Sequence, residues 1–291
     1  LQKIHIFKSI IMTKNNKADL FSFEFYPPKT QQGEVNLEQV HSDLAKLNPD
    51  FFSVTFGAGG STRDKTYDTV IKIQNNGVSA APHLSCVAST KENIREILSN
   101  YREHGVSKIV ALRGDLPSGM MSAGEFRYAN ELVEFIRVET GDHFQIHVAG
   151  YPEIHPQANN ATDDFDNFKR KVDAGADAVI TQYFYNAEAY FYFMDKCEKS
   201  GIDIPIVPGI MPITNFSQLF RFSDMCGADI PRWMRKTLEC FGDDKASILA
   251  FGEDVVSKLC QELLDNGAPG LHFYTMNQSK PTLAVWNNLR F

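Results

Sequence analysis

The sequence has little that would support a disulfide framework. Its five cysteines are odd in number, are scattered along the 291 residues and include no C-x-x-C pair. This pattern is typical of reduced thiols, which are the rule in the cytoplasm. We therefore expect a cytoplasmic protein.

Excess positive charge and long apolar runs are also missing. The formal net charge is −7, which argues against nucleic acids or anionic membranes as partners. No apolar run approaches the roughly 18 residues of a membrane span. Residues 1–11 lack the apolar core of a signal peptide, and we expect residues 1–19 to be a disordered N-terminal extension.

The chain instead has short β-rich runs that alternate with longer helical patterns. The first seven runs begin roughly 28–37 residues apart, the spacing of a repeated strand, loop and helix. Helical patterns over 90–104 and 162–174 end at Gly105 and Gly175, and Thr90 is a candidate N-cap. The eight candidate strands are 20–25, 51–55, 79–84, 108–112, 145–149, 178–182, 206–209 and 271–274.

Eight strand–helix units predict an α/β fold, a single eight-stranded (β/α)8 TIM-type barrel over residues 20–291. Residues 231–266 are expected to add extra helices between strands seven and eight. A doubly wound open sheet is the alternative. It is disfavoured because no G-x-G-x-x-G follows the first strand.

Polar residues stand at or just beyond most of the predicted strand ends, where a parallel barrel carries its active site. Glu24 lies within an otherwise aromatic strand, so burial should raise its pKa and suit it to general acid catalysis. A structural salt bridge is the alternative. The other strand-end groups are Thr55, His83, Arg113, Gly114, Asp115, Tyr151, His155, Gln182 and Tyr274.

Several of these groups have plainer interpretations when taken singly. His83 fits a core histidine, Asp115 a turn residue, and His272 a strand packing residue. The i,i+4 spacing of His143 and His147 falls on a loop and strand, where it forms no metal pair, so no metal site is predicted. The basic run 169–171 fits either a solvated helix face or a phosphate clamp.

Taken together, the motifs of residues 20–289 resemble the methylenetetrahydrofolate reductases in their short bacterial form. The strings that carry the resemblance are FSFEFYPPK, FFSVTFGAGGSTRD, AAPHLSC, IVALRGDLP, AGYPEIHP, NFKRKVDAGADAVITQYFY, VPGIMPITNF and HFYTMN.

The resemblance implies a homo-oligomeric flavoenzyme that holds FAD at the strand C-termini. Its expected reaction is the ping-pong reduction of 5,10-methylenetetrahydrofolate to 5-methyltetrahydrofolate by NAD(P)H, in one-carbon metabolism and methionine biosynthesis. Glu24 would be the catalytic acid, and the negative charge of Asp115 would stabilise the iminium ion that forms.

The resemblance also assigns the binding residues. Predicted FAD contacts are Phe56, Ala58, His83, Arg113, Gly114, Asp115, Tyr128, Ala129, Tyr151, His155, Ala158, Asp164, Asn167, Arg170 and Lys171. Predicted substrate contacts are Thr55, Gln182, Phe216, Tyr274 and Gln278.

Two positions depart from the family pattern. Gln278 stands where many relatives have an Arg that contacts the folate, which weakens any carboxylate contact unless Lys280 substitutes. Phe56 replaces a Tyr found in some relatives. The competing hypotheses are another flavin barrel of the proline dehydrogenase kind, a Schiff-base aldolase, and a folate-binding protein without catalysis.

Overall fold

Eight parallel strands close into a barrel in chain order, because the first strand pairs with both the second and the eighth. The computed structural model describes residues 20–57, 63–115 and 124–291. The predicted extension 1–19 and the predicted FAD contact Ala58 lie outside these ranges. Closure confirms the predicted barrel and excludes the open sheet. The strands are β1 (Leu20–Phe25), β2 (Phe51–Val54), β3 (Ala80–Ser85), β4 (Lys108–Leu112), β5 (Gln145–Gly150), β6 (Ala178–Tyr183), β7 (Ile206–Ile210) and β8 (Gly270–Tyr274).

Helices follow the strands along the chain. Those in the described ranges are α1 (Gln31–Ala45), α2 (Arg63–Asn75), α3 (Lys91–Glu103), α4 (Ala129–Thr140), α5 (Ala161–Asp173), α6 (Ala187–Lys199), α7 (Phe216–Cys226), α8 (Arg232–Phe241), α9 (Lys245–Asp265) and α10 (Ser279–Asn287). Three of them, α7 to α9, lie between β7 and β8, and α8 and α9 confirm the extra helices predicted over 231–266. None of these helices is long and apolar enough to cross a membrane.

Alternation along the strands separates an outer apolar layer from the barrel interior. Phe23 and Phe52 belong to the large cluster that the helices cover. Phe51 and Val110 belong instead to a small separate cluster within the barrel. Buried polar side chains accompany this inner cluster: Ser22, Ser53, His83, His147 and His272. The interior is therefore partly polar.

The helix ends use the local chemistry expected from the sequence. The Thr90 hydroxyl accepts a hydrogen bond from the Asn93 N–H at 3.2 Å, which confirms its role as N-cap of α3. Gly105 and Gly175 have φ of +73° and +114° after α3 and α5. These turns return the chain to β4 and β6 and thereby fix which residues reach the strand ends.

Candidate active site

A cavity of about 440 Å³ opens at the C-terminal ends of the strands. We call it the mouth cavity. Five predicted groups from five different strands or strand ends converge on it: Glu24, Thr55, His83, Gln182 and Tyr274. Phe56 and Tyr151 line it as well. The barrel thus brings together residues that are far apart in the sequence.

Glu24 lies at the centre of a buried polar cluster. Its Oε2 is 3.2 Å from Nε2 of His83 and 3.7 Å from Nε2 of His272. The other ring nitrogen of His272, Nδ1, shares a 2.7 Å hydrogen bond with the Ser22 hydroxyl. His272 reaches Glu24 because β1 pairs with β8, and His83 reaches it from β3, which lies on the far side of β2.

The prediction of a raised Glu24 pKa is wrong for this arrangement. Burial does raise the pKa, but His83 and His272 outweigh it and lower the pKa from 4.5 to about 2. His272 is buried on β8, as its interpretation as a strand packing residue predicts, but its ring also lies 3.7 Å from the carboxylate. Burial lowers the pKa of His272 even beside Glu24. The Glu24 side chain is therefore an ionised carboxylate at neutral pH unless a bound ligand changes its surroundings.

A second cavity of about 560 Å³ lies beside the mouth and is lined mainly by the loops that follow β4 and β5. We call it the long cavity. Tyr151 lines both cavities, so the two meet at this side chain. Burial raises the Tyr151 pKa to about 12, which keeps its hydroxyl protonated at neutral pH. Nine of the predicted FAD contacts line the long cavity: Arg113, Tyr128, Ala129, Tyr151, His155, Ala158, Asp164, Asn167 and Lys171.

Lys171 brings a positive charge into the long cavity. Its ammonium donates a 2.6 Å hydrogen bond to the Ala149 carbonyl. Within the described ranges no carboxylate lies at ion-pair distance from it. Burial lowers its pKa from 10.5 to about 8, although the charge of Asp164 opposes this. A desolvated cation of this kind favours an anionic ligand.

The basic run 169–171 divides between solvent and cavity. Lys169 pairs with Asp173 at 2.8 Å on the exposed side of α5. Arg170 donates to the Asn167 side chain at 2.9 Å and does not line the long cavity. Only Lys171 enters it. The helical turn therefore places one residue of the run in the cavity lining and leaves the other two outside it.

The turn after β4 carries the predicted residues Arg113, Gly114 and Asp115. Gly114 has φ of +80°, and a Cβ there would lie 1.8 Å from the Ser85 hydroxyl, so only glycine fits. The Arg113 guanidinium donates hydrogen bonds to the Gly114 carbonyl and to the Gln157 side chain. Asp115 is exposed next to this turn. The turn thus places Arg113 in the lining of the long cavity, whereas Asp115 lines neither cavity but lies close enough for its charge to act on Tyr151.

The sequence profile of the family described as methylenetetrahydrofolate reductase matches residues 9–290. The chain belongs to this family. Membership makes it an oxidoreductase that acts on a folate-bound one-carbon unit.

Individual relatives agree with the family assignment. The 5,10-methylenetetrahydrofolate reductase of Escherichia coli K12 is 41% identical over 92% of this chain and 90% of its own length. That of Buchnera aphidicola from Acyrthosiphon pisum is 43% identical over 91% and 89%. A probable methylenetetrahydrofolate reductase (NADH) of rice is 39% identical over 93% of this chain but 48% of its own length. The match is therefore to the short bacterial form.

Solved structures resemble the barrel at much lower identity. An uncharacterized protein from Clostridium thermocellum that binds two copies of 5-methyl-5,6,7,8-tetrahydrofolic acid has a TM-score of 0.66, 16% identity and 97% coverage of both chains. Oxaloacetate acetylhydrolase has a TM-score of 0.52 at 10% identity, over 93% and 80%. These likenesses concern the fold alone.

Two predicted substrate contacts of this reductase family member lie away from the mouth. Phe216 packs against Phe220 at a ring distance of 4.5 Å and lines neither the mouth nor the long cavity. Gln278 lines a separate cavity beyond β7 and β8. Three residues that line the mouth were not predicted, because they lie on a helix and not at a strand end: Phe222, Met225 and Cys226 of α7. Their helical i, i+3 and i+4 spacing is the signal that could have placed them on one face.

Proposed function

We propose that this protein reduces 5,10-methylenetetrahydrofolate to 5-methyltetrahydrofolate and takes the electrons from NADH or NADPH through bound FAD. The observation that carries the proposal is the junction at Tyr151 between the mouth cavity and the long cavity. A flat ligand in the mouth would lie above Glu24, while an elongated cofactor would reach it from the side. Family membership supports the same reaction.

FAD fits the long cavity by the chemistry of its lining. A pyrophosphate would supply a negative partner for the half-buried ammonium of Lys171. The aromatic Tyr128, which is exposed, stands at the start of α4 and offers a stacking surface. Bound FAD would supply hydride transfer between the nicotinamide nucleotide and the folate, each of which would occupy the mouth in turn.

Glu24 is the group that would protonate the folate and open its one-carbon bridge to an iminium ion. With a pKa of about 2 it must first gain a proton. A flat ligand that closes the mouth removes water, which strengthens the contribution of burial and raises the pKa. His83, at 3.2 Å, is close enough to exchange a proton with it.

Two further groups would act on the bound ring. Asp115 is exposed at the rim, where its charge would stabilise the cation that develops on the folate. Gln182 lines the mouth, and its side-chain oxygen accepts a 3.0 Å hydrogen bond from the Tyr183 N–H. We assign Gln182 to hydrogen bonding with whichever flat ring is present. The product would serve methionine biosynthesis in the cytoplasm, with the chain acting as a homo-oligomer.

Phe222, rather than Phe216, is the aromatic ring that we expect to stack on these substrates. Replacing Phe222 with Ala should raise the KM for folate or NADH by roughly three- to tenfold, because an aromatic contact is worth about 0.5–1.5 kcal/mol. Steady-state kinetics would measure this. Phe216→Ala is the control, and an equal rise in KM for that variant would contradict the assignment.

The direct test of the function is an anaerobic NADH titration of the purified protein, followed through the visible flavin band. We expect the band to bleach on addition of NADH and to recover on addition of 5,10-methylenetetrahydrofolate, with 5-methyltetrahydrofolate as product. A protein that remains colourless after addition of FAD would overturn the proposal. Bleaching without recovery would leave a flavoprotein whose electron acceptor is another compound, and would overturn the folate step.

A further inference from the structure

His272 of β8 lies inside the barrel and does not line the mouth cavity. Only 1% of its surface is exposed. Its ring packs edge-on against Tyr274 at a centroid distance of 5.1 Å and lies 6.1 Å from the ring of Phe51. A ligand in the mouth would therefore meet Glu24 and Tyr274 but would not touch His272. An effect of His272 on the reaction must pass through a neighbouring side chain.

The register of β1 and β8 places the ring of His272 beside both Ser22 and Glu24. Ser22 and His272 are paired across the two strands, and Glu24 follows Ser22 on the same face of β1. Nδ1 of the ring is 2.7 Å from the Ser22 hydroxyl oxygen, and Nε2 is 3.7 Å from Oε2 of Glu24. The imidazole thus connects the serine with the carboxylate.

The two contacts favour one tautomer of His272. Ser22 is 2% exposed, and within the described ranges its hydroxyl bonds to Nδ1 alone. A buried hydroxyl proton needs an acceptor, so the hydroxyl donates to Nδ1. Burial lowers the pKa of His272, so the ring is neutral at neutral pH and carries its single proton on Nε2. The opposite tautomer would turn a nitrogen lone pair toward the Glu24 carboxylate.

We propose that His272 is a positioning residue for the acid Glu24, and that the Ser22 hydroxyl holds it in the tautomer whose Nε2–H faces the Glu24 carboxylate. This role rests on the proposed function, because Glu24 must be the group that protonates the folate. The proton would form an N–H bond at the folate nitrogen that separates from the one-carbon bridge, and the electron pair of the broken O–H bond would stay on Glu24. His272 keeps its own proton and stabilises the carboxylate that forms, which makes Glu24 a stronger acid.

Three further titratable groups lie near this pair. His83 is 3.2 Å from Glu24. Burial lowers the pKa of His147, which lies near His272 on β5, to about 3, and it raises the pKa of Tyr274 well above its ordinary value. Both groups therefore stay uncharged around neutral pH. His83 is unchanged in every variant proposed below, so its titration is common to all of them.

The test is the pH dependence of folate reduction by the FAD-loaded protein, with Ser22→Ala compared with wild type. The reduced protein is mixed with 5,10-methylenetetrahydrofolate, and the return of the flavin band is followed by stopped flow. The rate should fall as the pH rises through the pKa of Glu24 in the complex, because the acid must hold its proton. Without the positioned Nε2–H the carboxylate is less stable, so this pKa rises and the fall moves to higher pH by about 0.5–1 unit. The limiting rate at low pH should drop about three- to tenfold, since Glu24 becomes a weaker acid.

Two further variants separate this role from a structural one. Ser22→Thr keeps a hydroxyl and should restore the wild-type pH profile. Ser53→Ala is the matched control, because Ser53 lies opposite Glu24 on β2, is fully buried and has no hydrogen-bond partner for its hydroxyl within the described ranges. It should follow the wild-type profile. An equal shift in Ser53→Ala would assign the effect to the lost polarity of the barrel interior and overturn the inference.

NMR of isotopically labelled histidine nitrogens in the same FAD-loaded proteins reports the tautomer directly. We expect His272, identified by its loss in His272→Gln, to be protonated on Nε2 in wild type and to populate both tautomers in Ser22→Ala. Protonation on Nδ1 in wild type would overturn the inference, as would an unchanged pH profile in Ser22→Ala. A wild type that reduces no folate would overturn the proposed function and this role with it, and the NMR result would still decide the tautomer.

Discussion

Replacing Glu24 with Gln is expected to lower the rate of folate reduction by about 10²–10⁴-fold, the usual contribution of a general acid. The amide keeps the size of the side chain but cannot deliver the proton that opens the one-carbon bridge. Reduction of the flavin by NADH requires no such proton and should stay within about twofold of wild type. Stopped-flow measurement of the two half-reactions would separate these effects.

The control for this variant is Glu34→Gln, on the exposed first turn of α1. It should leave both half-reactions unchanged. Normal folate turnover by Glu24→Gln would remove the acid role from this residue, whatever the flavin does. An equal loss in both half-reactions would indicate that the Glu24 cluster supports the structure of the mouth rather than proton transfer.

Replacing Lys171 with Met is expected to weaken FAD binding by roughly 10- to 100-fold, because a hydrogen bond to a charged group contributes about 1.5–3 kcal/mol. The methionine keeps most of the apolar stem but removes the half-buried charge. Fluorescence titration of the apoprotein with FAD would measure the change. Lys169→Met is the matched control, since Lys169 pairs with Asp173 on the solvent side of the same helix.

The pH dependence of FAD affinity distinguishes a charge effect from a packing effect. Burial lowers the Lys171 pKa to about 8, so the ammonium is mostly charged at pH 7 and loses its proton as the pH rises through 8. A bound pyrophosphate favours the charged form, so binding takes up protons near and above this pH. Wild-type affinity should therefore fall as the pH rises from about 8, whereas Lys171→Met should lack this dependence. The same fall in Lys171→Met would assign the titration to another group.

The barrel and much of its mouth were predictable because the signals for them are local. Strand alternation around Glu24, the cap at Thr90 and the glycines after the helices depend on residues within one or two turns. All eight predicted strands form, with ends that differ by one residue at most. In a parallel barrel that order alone places the strand ends on one face, which is how Glu24, His83 and Gln182 could be grouped in advance.

The electrostatics of the site depended on contacts that no local pattern encodes. An aromatic strand predicts a raised Glu24 pKa, yet the pKa is lowered because β8 brings His272 beside β1 and β3 brings His83. The sequence also did not show that Phe222, rather than Phe216, faces the mouth, since both lie in an aromatic helix. Similarly, only the rotation of α5 decided which cation of the basic run enters the long cavity.

The sequence by itself determined the order of strands and helices and the set of chemical groups at the strand ends. The tertiary structure decided which groups touch, and hence their charge states. The physical reason is that the two kinds of interaction join residues at different separations along the chain. Backbone preferences and side-chain alternation act between near neighbours in the chain, whereas a pKa depends on burial and on charges a few ångströms away, whose positions are fixed only when the barrel closes.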